Sequence, residues 1–303
     1  MNAEQRERLV LLLGGNVQFD CPMSNYTTLK VGGSAEALCE IKTRDVLKQV
    51  ISFLSEENLS YEVLGWGSNV IIKDTGIEGA IIVLKENFGG IDRPDKNGTL
   101  LLAGAGCGLG KFVNYCKKEE LGGIEFLAGI PGTIGGAVTM NAGAFGKEIS
   151  TRIVSIELIN SKAKKEVLQR DQINFSYRSC KIKKGNIIVG CCIGLDKVPR
   201  EEFLKTVSCY LRKRKAKQPI EYPSAGSIFK NPPGDYAGRI IESVGLKGKK
   251  IGKAMISEKH ANFIINTGGA TASDVIALIN LAREAVKEKT QVVLETEVKI
   301  IGR

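Results

Sequence analysis

Two stretches of this 303-residue chain have the composition of a surface that lets a ligand reach the main chain. The first, GIPGTIGGAVTMNAGAFG at 129–146, places six glycines in eighteen residues, carries no charge and has no side chain larger than those of Met140 and Phe145. A core segment needs bulk and a surface loop usually carries charge; this stretch has neither. Glycine removes the Cβ that keeps other atoms off the backbone, and the usual partner of exposed backbone N–H groups is phosphate. The second stretch, GWGSN at 65–69, sets two glycines, a hydroxyl and an amide after the run YEVL. That is the make-up of an anion nest, although by itself it would read as an ordinary turn.

Simpler explanations fit less well. The uncharged run from Phe126 to Gly146 covers 21 residues, the length of a membrane span, but Pro131, the glycines, Thr133, Thr139 and Asn141 leave too little apolar side chain. GAGCGLGK at 104–111 resembles a P-loop, yet alanine occupies 105 where glycine is required, and Phe112 replaces the Ser or Thr. It also fails as the dinucleotide fingerprint Gly-x-Gly-x-x-Gly, because the sixth position is Leu109. Two glycine loops without a P-loop lysine suggest a large, phosphate-bridged cofactor such as FAD.

The elements that would carry these loops follow from periodicity. Alternating or buried apolar runs indicate strands near 35–42, 61–65, 79–85, 100–105, 153–160 and 187–194. Helical spacing appears at 44–56, 109–119 and 203–216. A further helix begins at a capping Thr271 or Ser273 and repeats apolar residues at 275, 278, 279, 282 and 286. QVVLETEVKIIG at 291–302 reads as a strand, with Leu294, Thr296, Val298 and Ile300 on one face and Glu295, Glu297 and Lys299 on the other. No regular βαβ rhythm appears, so the expected layout is α+β. The charged, Pro-containing DKVPREE at 196–202 is the expected domain boundary.

Composition narrows the partners. A 43% apolar and 25% charged chain is typical of a globular protein. The net charge of +10 favours anionic partners, and the densest basic run, RKRKAK at 212–217, reads as a solvated helix face or an anion-steering patch. Only Tyr210 interleaves with it, which argues against a nucleic-acid surface. Eight cysteines without a C-x-x-C pair, and a single histidine, give no support for a metal site; the cysteines are expected to be reduced, mostly buried thiols. The apolar run Leu9–Leu13 is too short for a signal peptide core, so a cytoplasmic location is expected.

The motifs NYTTLKVGGSAE at 25–36, GWGSN, the 129–146 stretch, SYRSC at 176–180, AGSIFKNP at 225–232, GLKGKKIGKAMISEKHANFIIN at 245–266 and LETEVKIIG at 294–302 occur in this order. Together they resemble the UDP-N-acetylenolpyruvoylglucosamine reductase (MurB) family, over about nine-tenths of the chain. That family belongs to flavoproteins sharing the vanillyl-alcohol-oxidase (PCMH-type) FAD fold. The resemblance implies an FAD-binding domain of two α+β lobes over residues 1–200 and a smaller α/β substrate-binding domain over 201–303. It implies hydride transfer from NADPH through FAD to the enolpyruvyl ether of UDP-N-acetylglucosamine, in peptidoglycan precursor synthesis.

By the same resemblance, Gly65, Gly67, Ser68 and Asn69, with Ile130, Pro131, Gly132, Gly135, Gly136, Ala137, Asn141 and Gly143, fall on FAD-binding positions. The only histidine, His260, lies in the other domain, so the flavin is expected to be noncovalent. Arg178 matches the arginine that pairs with the enolate and substrate carboxylate, where a planar guanidinium offers two parallel donors. Ser227 matches the proton donor. Glu297 matches the third catalytic position, with a solvated charge as the alternative. Tyr177, Lys217 and Asn231 match substrate contacts, Lys217 at the diphosphate. Phe145 stands where the long form of the family has a tyrosine, and the short segments 145–176 and 231–245 suggest the short, type II form without a substrate-covering loop. No nucleic acid, membrane or obligate protein partner is implied. An FAD-dependent sugar or alcohol oxidase of the same fold and a non-catalytic basic nucleotide- or RNA-binding protein are the alternatives.

Overall fold

The runs read as strands at 100–105, 153–160 and 187–194 lie side by side in one antiparallel five-stranded sheet, ordered Lys165–Gln169, Ile153–Ile159, Ile187–Gly194, Leu100–Gly104 and Ile91–Asp92. Ile187–Gly194 is central and buried along almost its whole length, whereas Leu100–Gly104 alternates, with Leu101 and Ala103 buried and Leu100 and Leu102 exposed. A central strand covered on its two faces needs apolar residues throughout; a strand with one wet face shows period two. These coordinates are a computed structural model that describes every residue from Met1 to Arg303.

The chain forms two compact units, each assembled from separated segments: Met1–Phe19, Ala37–Gly65 and Gly79–Arg212 in the first, Asp20–Glu36, Trp66–Glu78 and Lys213–Arg303 in the second. Besides the five-stranded sheet, the first contains most of a four-stranded sheet ordered Val17–Pro22, Ser34–Ile41, Ile77–Leu84 and Tyr61–Val63. Tyr61–Val63 runs parallel to Ala80–Ile82. Helix α1 (Ala3–Leu13) begins with a capping box between Asn2 and Gln5 and buries Leu9 and Leu13. Helix α2 (Arg44–Glu56) is capped by Thr43 and buries Leu47, Val50, Ile51, Phe53 and Leu54. Helix α3 (Leu109–Lys118) buries Leu109, Phe112, Val113 and Cys116. The short helix α4 (Ile134–Thr139) lies inside the glycine-rich stretch. Helix α5 (Arg200–Lys217) starts directly after Pro199, whose fixed φ suits a first turn, so the helix begins three residues before the expected 203. The first unit's core is one cluster running from Leu9 to Phe203.

The second unit has its own core, centred on Ile228, Phe229, Ile240, Ile264, Val275, Leu278 and Val286. An antiparallel sheet ordered Ser224–Ser227, Phe263–Asn266, Ala254–Ile256 and Lys250–Ile251 accompanies α6 (Ala237–Ser243) and α7 (Ala272–Thr290). The five apolar positions read from periodicity in α7 are all buried. The expected strand at 291–302 is corrected: after Gln291 enters the left-handed region at φ 61°, Thr296 makes only an isolated antiparallel bridge to Phe229, and Lys299–Ile301 alone forms a strand, in parallel with Val70–Ile72. Its alternation nevertheless holds, because Leu294 and Val298 are buried and Glu295 and Lys299 exposed. All eight cysteines are free thiols, six buried and two half-buried. Burial pushes Cys39 up to about 12. No helix is long and apolar enough to cross a membrane.

Helix α7 is tied down by a carboxylate from elsewhere in its own unit. Asp74 accepts the N–H groups of Ala272 and Ser273 at 2.8 Å each and the Ser273 hydroxyl at 2.6 Å, while Thr271 Oγ1 accepts the N–H of Asp274 at 3.1 Å. Partial burial pulls the Asp74 pKa upward, but these three hydrogen bonds outweigh it and hold the carboxyl below its ordinary value. A depressed carboxylate contributes stability that is complete above the unfolded-state pKa and disappears as pH falls through the folded-state value. Replacing an exposed cap of this kind costs about 1 kcal/mol. Asp74→Ala is therefore expected to lower the urea midpoint at pH 7, with the gap to wild type closing as the titration is taken toward pH 3; an equal gap at both pH values would contradict the cap.

Candidate functional site

The 129–146 stretch is an ordered structure with most of its donors already engaged. Ile130 N–H donates to Leu127 O at 3.0 Å, and Ile134 and Gly135 N–H donate to Cys107 O and Ala105 O at 2.8 Å each. Thr133 Oγ1 caps α4 by accepting the Gly136 N–H at 3.2 Å. Thr133 itself pairs with Gly108 in an isolated antiparallel bridge whose hydrogen bonds come from the flanking residues, Leu109 N–H to Gly132 O and Ile134 N–H to Cys107 O. In that kind of pair the central N–H points away from the partner strand.

The glycines divide by what they face. A Cβ on Gly135 would stand 2.9 Å from Ala105 Cβ, and one on Gly65 would stand 2.8 Å from Thr133 Oγ1, so contact within the protein requires these two. Gly136 is exposed, and a Cβ there would meet nothing nearer than Thr133 Oγ1 at 3.5 Å. Gly146 is exposed too, with nothing within 4 Å of a Cβ, so these two positions leave the backbone of the stretch open to a phosphate-bearing group. The uncharged, small-residue surface fits FAD, and Gly136 with the outward N–H of Thr133 would meet its phosphates. Ile130 and Gly143 are half-buried, Pro131 is exposed, and Gly132 and Ala137 are buried.

Asn141 has a different place. It is 1% exposed, with φ 41°, and its side chain is enclosed by the protein: Nδ2 donates to Glu148 Oε2 at 2.7 Å and to Ser176 O at 3.0 Å, and Oδ1 accepts the Ser150 N–H at 3.2 Å. Ser176 O belongs to the hairpin of Asn174–Ser176 and Ser179–Lys181, whose two-residue tip is Tyr177–Arg178. Arg178 takes φ 56° at the second tip position, where such turns favour glycine. Its guanidinium carbon lies 5.0 Å from the centre of the half-exposed Tyr177 ring. Phe145, also left-handed at φ 56°, stacks on Tyr210 of α5 with ring centres 4.1 Å apart and planes 7° from parallel.

In the second unit three distant segments meet. Gly67 at φ 60° lies so close to Tyr26 O that a Cβ would be 2.2 Å from it, which no other residue could satisfy. Gly67 O accepts the Thr28 N–H at 3.2 Å, and the Thr28 hydroxyl donates to Ser224 O at 2.7 Å. Asn69 Nδ2 donates to Glu297 O at 3.2 Å, Asn69 O accepts the Lys299 N–H at 3.1 Å, and the Glu297 N–H donates to Ile228 O at 2.8 Å. Gly226, at φ 74°, leaves the Ser227 strand open toward Ser68, whose carbonyl would be 3.9 Å from a Cβ. Gly67, Ser68, Asn69, Ser227 and Glu297 therefore occupy one neighbourhood. Asn231 Oδ1 accepts the Ala237 N–H at 3.1 Å and so anchors the start of α6. Lys217 is exposed at the end of α5. Burial holds the His260 imidazole below its ordinary value, with Lys247 and Lys217 adding to that effect.

Sequence reading missed several residues that hold these groups. Asn262, 3% exposed, accepts the Phe229 N–H at 2.9 Å and donates to Phe229 O at 2.8 Å, bracketing the main chain two residues past Ser227. Glu125, 5% exposed, accepts the Gly123 N–H through both carboxylate oxygens just before the glycine-rich stretch. Both lie beside motif residues, and the signal that could have found them is a polar side chain flanked by apolar ones, as in GIEFL and HANFIIN.

Comparison with known proteins identifies the family of the chain. The model of an FAD binding domain matches residues 35–167, and that of the UDP-N-acetylenolpyruvoylglucosamine reductase C-terminal domain matches residues 218–301. The chain is similar to the UDP-N-acetylenolpyruvoylglucosamine reductase of Geobacter metallireducens, 41% identical over 100% of this chain and 99% of the relative. That of Lachnoclostridium phytofermentans is 43% identical over 93% and 91%. Among solved structures, MurB from Thermus caldophilus superposes with a TM-score of 0.81 at 36% identity, covering 94% of this chain and 98% of that one. A p-cresol methylhydroxylase shares the fold at a TM-score of 0.62 and 10% identity, over 99% and 90%. The chain thus belongs to the UDP-N-acetylenolpyruvoylglucosamine reductase (MurB) family and contains its FAD-binding domain.

Proposed function

We propose that this protein reduces the enolpyruvyl ether of UDP-N-acetylglucosamine to UDP-N-acetylmuramate in the cytoplasm, with NADPH as reductant and noncovalent FAD as carrier. Residues 1–200 serve as the flavin domain and 201–303 as the substrate domain. Besides family membership, the observation that supports the reading is that Gly67–Asn69, Ser227 and Glu297, far apart in sequence, lie in one neighbourhood.

Gly65, Gly67, Ser68 and Asn69, with Ile130, Pro131, Gly132, Gly135, Gly136, Ala137, Asn141 and Gly143, form or support the surface that holds FAD. Bound FAD supplies the hydride chemistry, from NADPH to C3 of the enolpyruvyl group. Arg178 and Tyr177 receive the substrate carboxylate, and the guanidinium balances the charge that develops at C2. Ser227 delivers the proton to C2, so that one hydride and one proton together saturate the double bond. A hydroxyl is a weak acid, but a carbanion-like C2 is a strong base and accepts from it. Glu297 works beside this developing anion, Lys217 grips the diphosphate, and Asn231 contacts the substrate.

The purified protein should show flavin absorption bands that bleach with anaerobic NADPH and return on addition of the enolpyruvyl sugar nucleotide. Return with oxygen alone would indicate an oxidase, and no flavin after incubation with FAD would remove the flavin reading. Ser227→Ala should keep the flavin spectrum and lower kcat by about 10²–10⁴-fold, the usual contribution of a positioned acid; turnover at the wild-type rate would remove Ser227 from that role. Gly65→Ala places a methyl carbon 2.8 Å from Thr133 Oγ1 and displaces the cap of α4. It should weaken FAD retention by about tenfold, read as the flavin-to-protein ratio after gel filtration; an unchanged ratio would contradict the tight contact.

A further inference from the structure

Gly143, Glu148 and Arg178 meet at one point in the first unit. A Cβ on Gly143 would lie 3.0 Å from Glu148 Cγ and 3.1 Å from Arg178 Nη1, so these two atoms are no more than twice that distance apart. The carboxylate of Glu148 is itself fixed, because Asn141 Nδ2 donates to it at 2.7 Å and to Ser176 O, in the hairpin that carries Arg178, at 3.0 Å. Asn141 is fully enclosed and Glu148 half-buried, so this arrangement is shielded from solvent. An arginine side chain has about four rotatable bonds and loses considerable freedom when it must hold one orientation. An anchored carboxylate within a few ångströms removes much of that cost in advance.

We propose that Glu148 is a positioning residue for Arg178, its carboxylate orienting the guanidinium for the substrate carboxylate through the Asn141 anchor. This rests on the role of Arg178 given above. Glu148 does not touch the reacting atoms; it acts through the arginine. Gly143 is required by its own hairpin, because a Cβ there would lie 2.6 Å from Lys147 O, and the same Cβ would also crowd Glu148 and Arg178.

The test is reoxidation of pre-reduced, FAD-loaded enzyme by saturating enolpyruvyl sugar nucleotide, followed at the flavin absorption maximum in a double-mutant cycle. Glu148→Gln keeps the shape and the acceptor for Asn141 but removes the charge. It should slow reoxidation by about tenfold in the wild-type background and have no further effect in Arg178→Ala. Reoxidation at the wild-type rate in Glu148→Gln, or losses that multiply in the double variant, would overturn the proposal, because a residue that only supports the fold acts independently of Arg178. If Arg178→Ala itself reoxidises like wild type, the role of Arg178 fails and the proposal falls with it, an outcome distinct from the other two. Should Glu148→Gln not retain flavin, Glu148→Asp, which keeps the charge and shortens the reach, decides in its place: slower reoxidation supports positioning and the wild-type rate overturns it.

Discussion

Where regular pairing ends, a buried asparagine takes over the main chain's hydrogen bonds, and the site segments depend on this. The strand Ser224–Ser227 shifts register within its four residues. Beyond it the backbone of Phe229 meets the side chain of Asn262, which accepts from its N–H and donates to its carbonyl. A carboxamide offers one donor side and one acceptor side, the same pair as a peptide group, so it can complete a ladder that no strand continues. Buried polar groups without partners cost about 1–3 kcal/mol each, so the chain can leave its sheet here only because Asn262 is present. With that stretch fixed, the carbonyl of Ile228 is placed to receive Glu297, and Ser227 stands at a defined height beside it. Asn141 does the same for the Arg178 hairpin, and Asn266, donating to Leu29 O and accepting from Gly268 and Ala270, does it for the turn before α7.

The glycine-rich stretch shows how one composition can have two physical causes. Six glycines without charge suggested a backbone opened to a ligand. In the structure Gly135 is required by Ala105 and Gly65 by Thr133. Close packing of one backbone against another makes the same demand on sequence as close approach of a phosphate, because each excludes a Cβ. Only the three-dimensional neighbours separate the two, and they leave the exposed Gly136 and Gly146 as the open positions. The amides divide likewise: those of Ile134, Gly135 and Gly136 serve the protein, which stiffens the platform on which a cofactor would rest.

Elements with a strong period were readable at the level of single residues. Helix α2 runs over the expected 44–56, and the buried face of α7 is the one read from positions 275 to 286. The tail at 291–302 shows the limit. Its alternation was read correctly, but alternation reports which side chains are buried, not which backbone groups pair. Glu295 O accepts from the Lys230 N–H, the Glu297 N–H donates to Ile228 O and the Lys299 N–H to Asn69 O, so the segment makes an isolated bridge and a short strand and is not one continuous strand. Helix α1 carries its apolar residues as one contiguous run, Leu9–Leu13, and α6 is only seven residues long, so neither shows a helical period, and their ends are set by side-chain partners, Gln5 with Asn2 and Asn231 with Ala237. The site residues were readable only as motifs. Nothing local in SYRSC or AGSIFKNP says that Arg178 or Ser227 differs from a surface residue, since the groups that hold them, Asn141 and Asn262, lie more than thirty positions away.

Backbone conformation adds an argument that motifs cannot supply. Asn141, Phe145 and Arg178 all adopt positive φ, at 41°, 56° and 56°. For a side chain other than glycine that costs about 1–2 kcal/mol, and asparagine tolerates it better than phenylalanine or arginine. Each is held by something strong enough to offset the cost: Asn141 by three hydrogen bonds, Phe145 by stacking on Tyr210, and Arg178 by the paired strands on either side of its turn. Glycine at 178 would relieve the strain at once. Left-handed backbone is not confined to these three, since Asn58, Glu86, Glu120 and Ala163 of the same unit also adopt it, so it is the contacts of Asn141, Phe145 and Arg178, not their φ values, that set them apart.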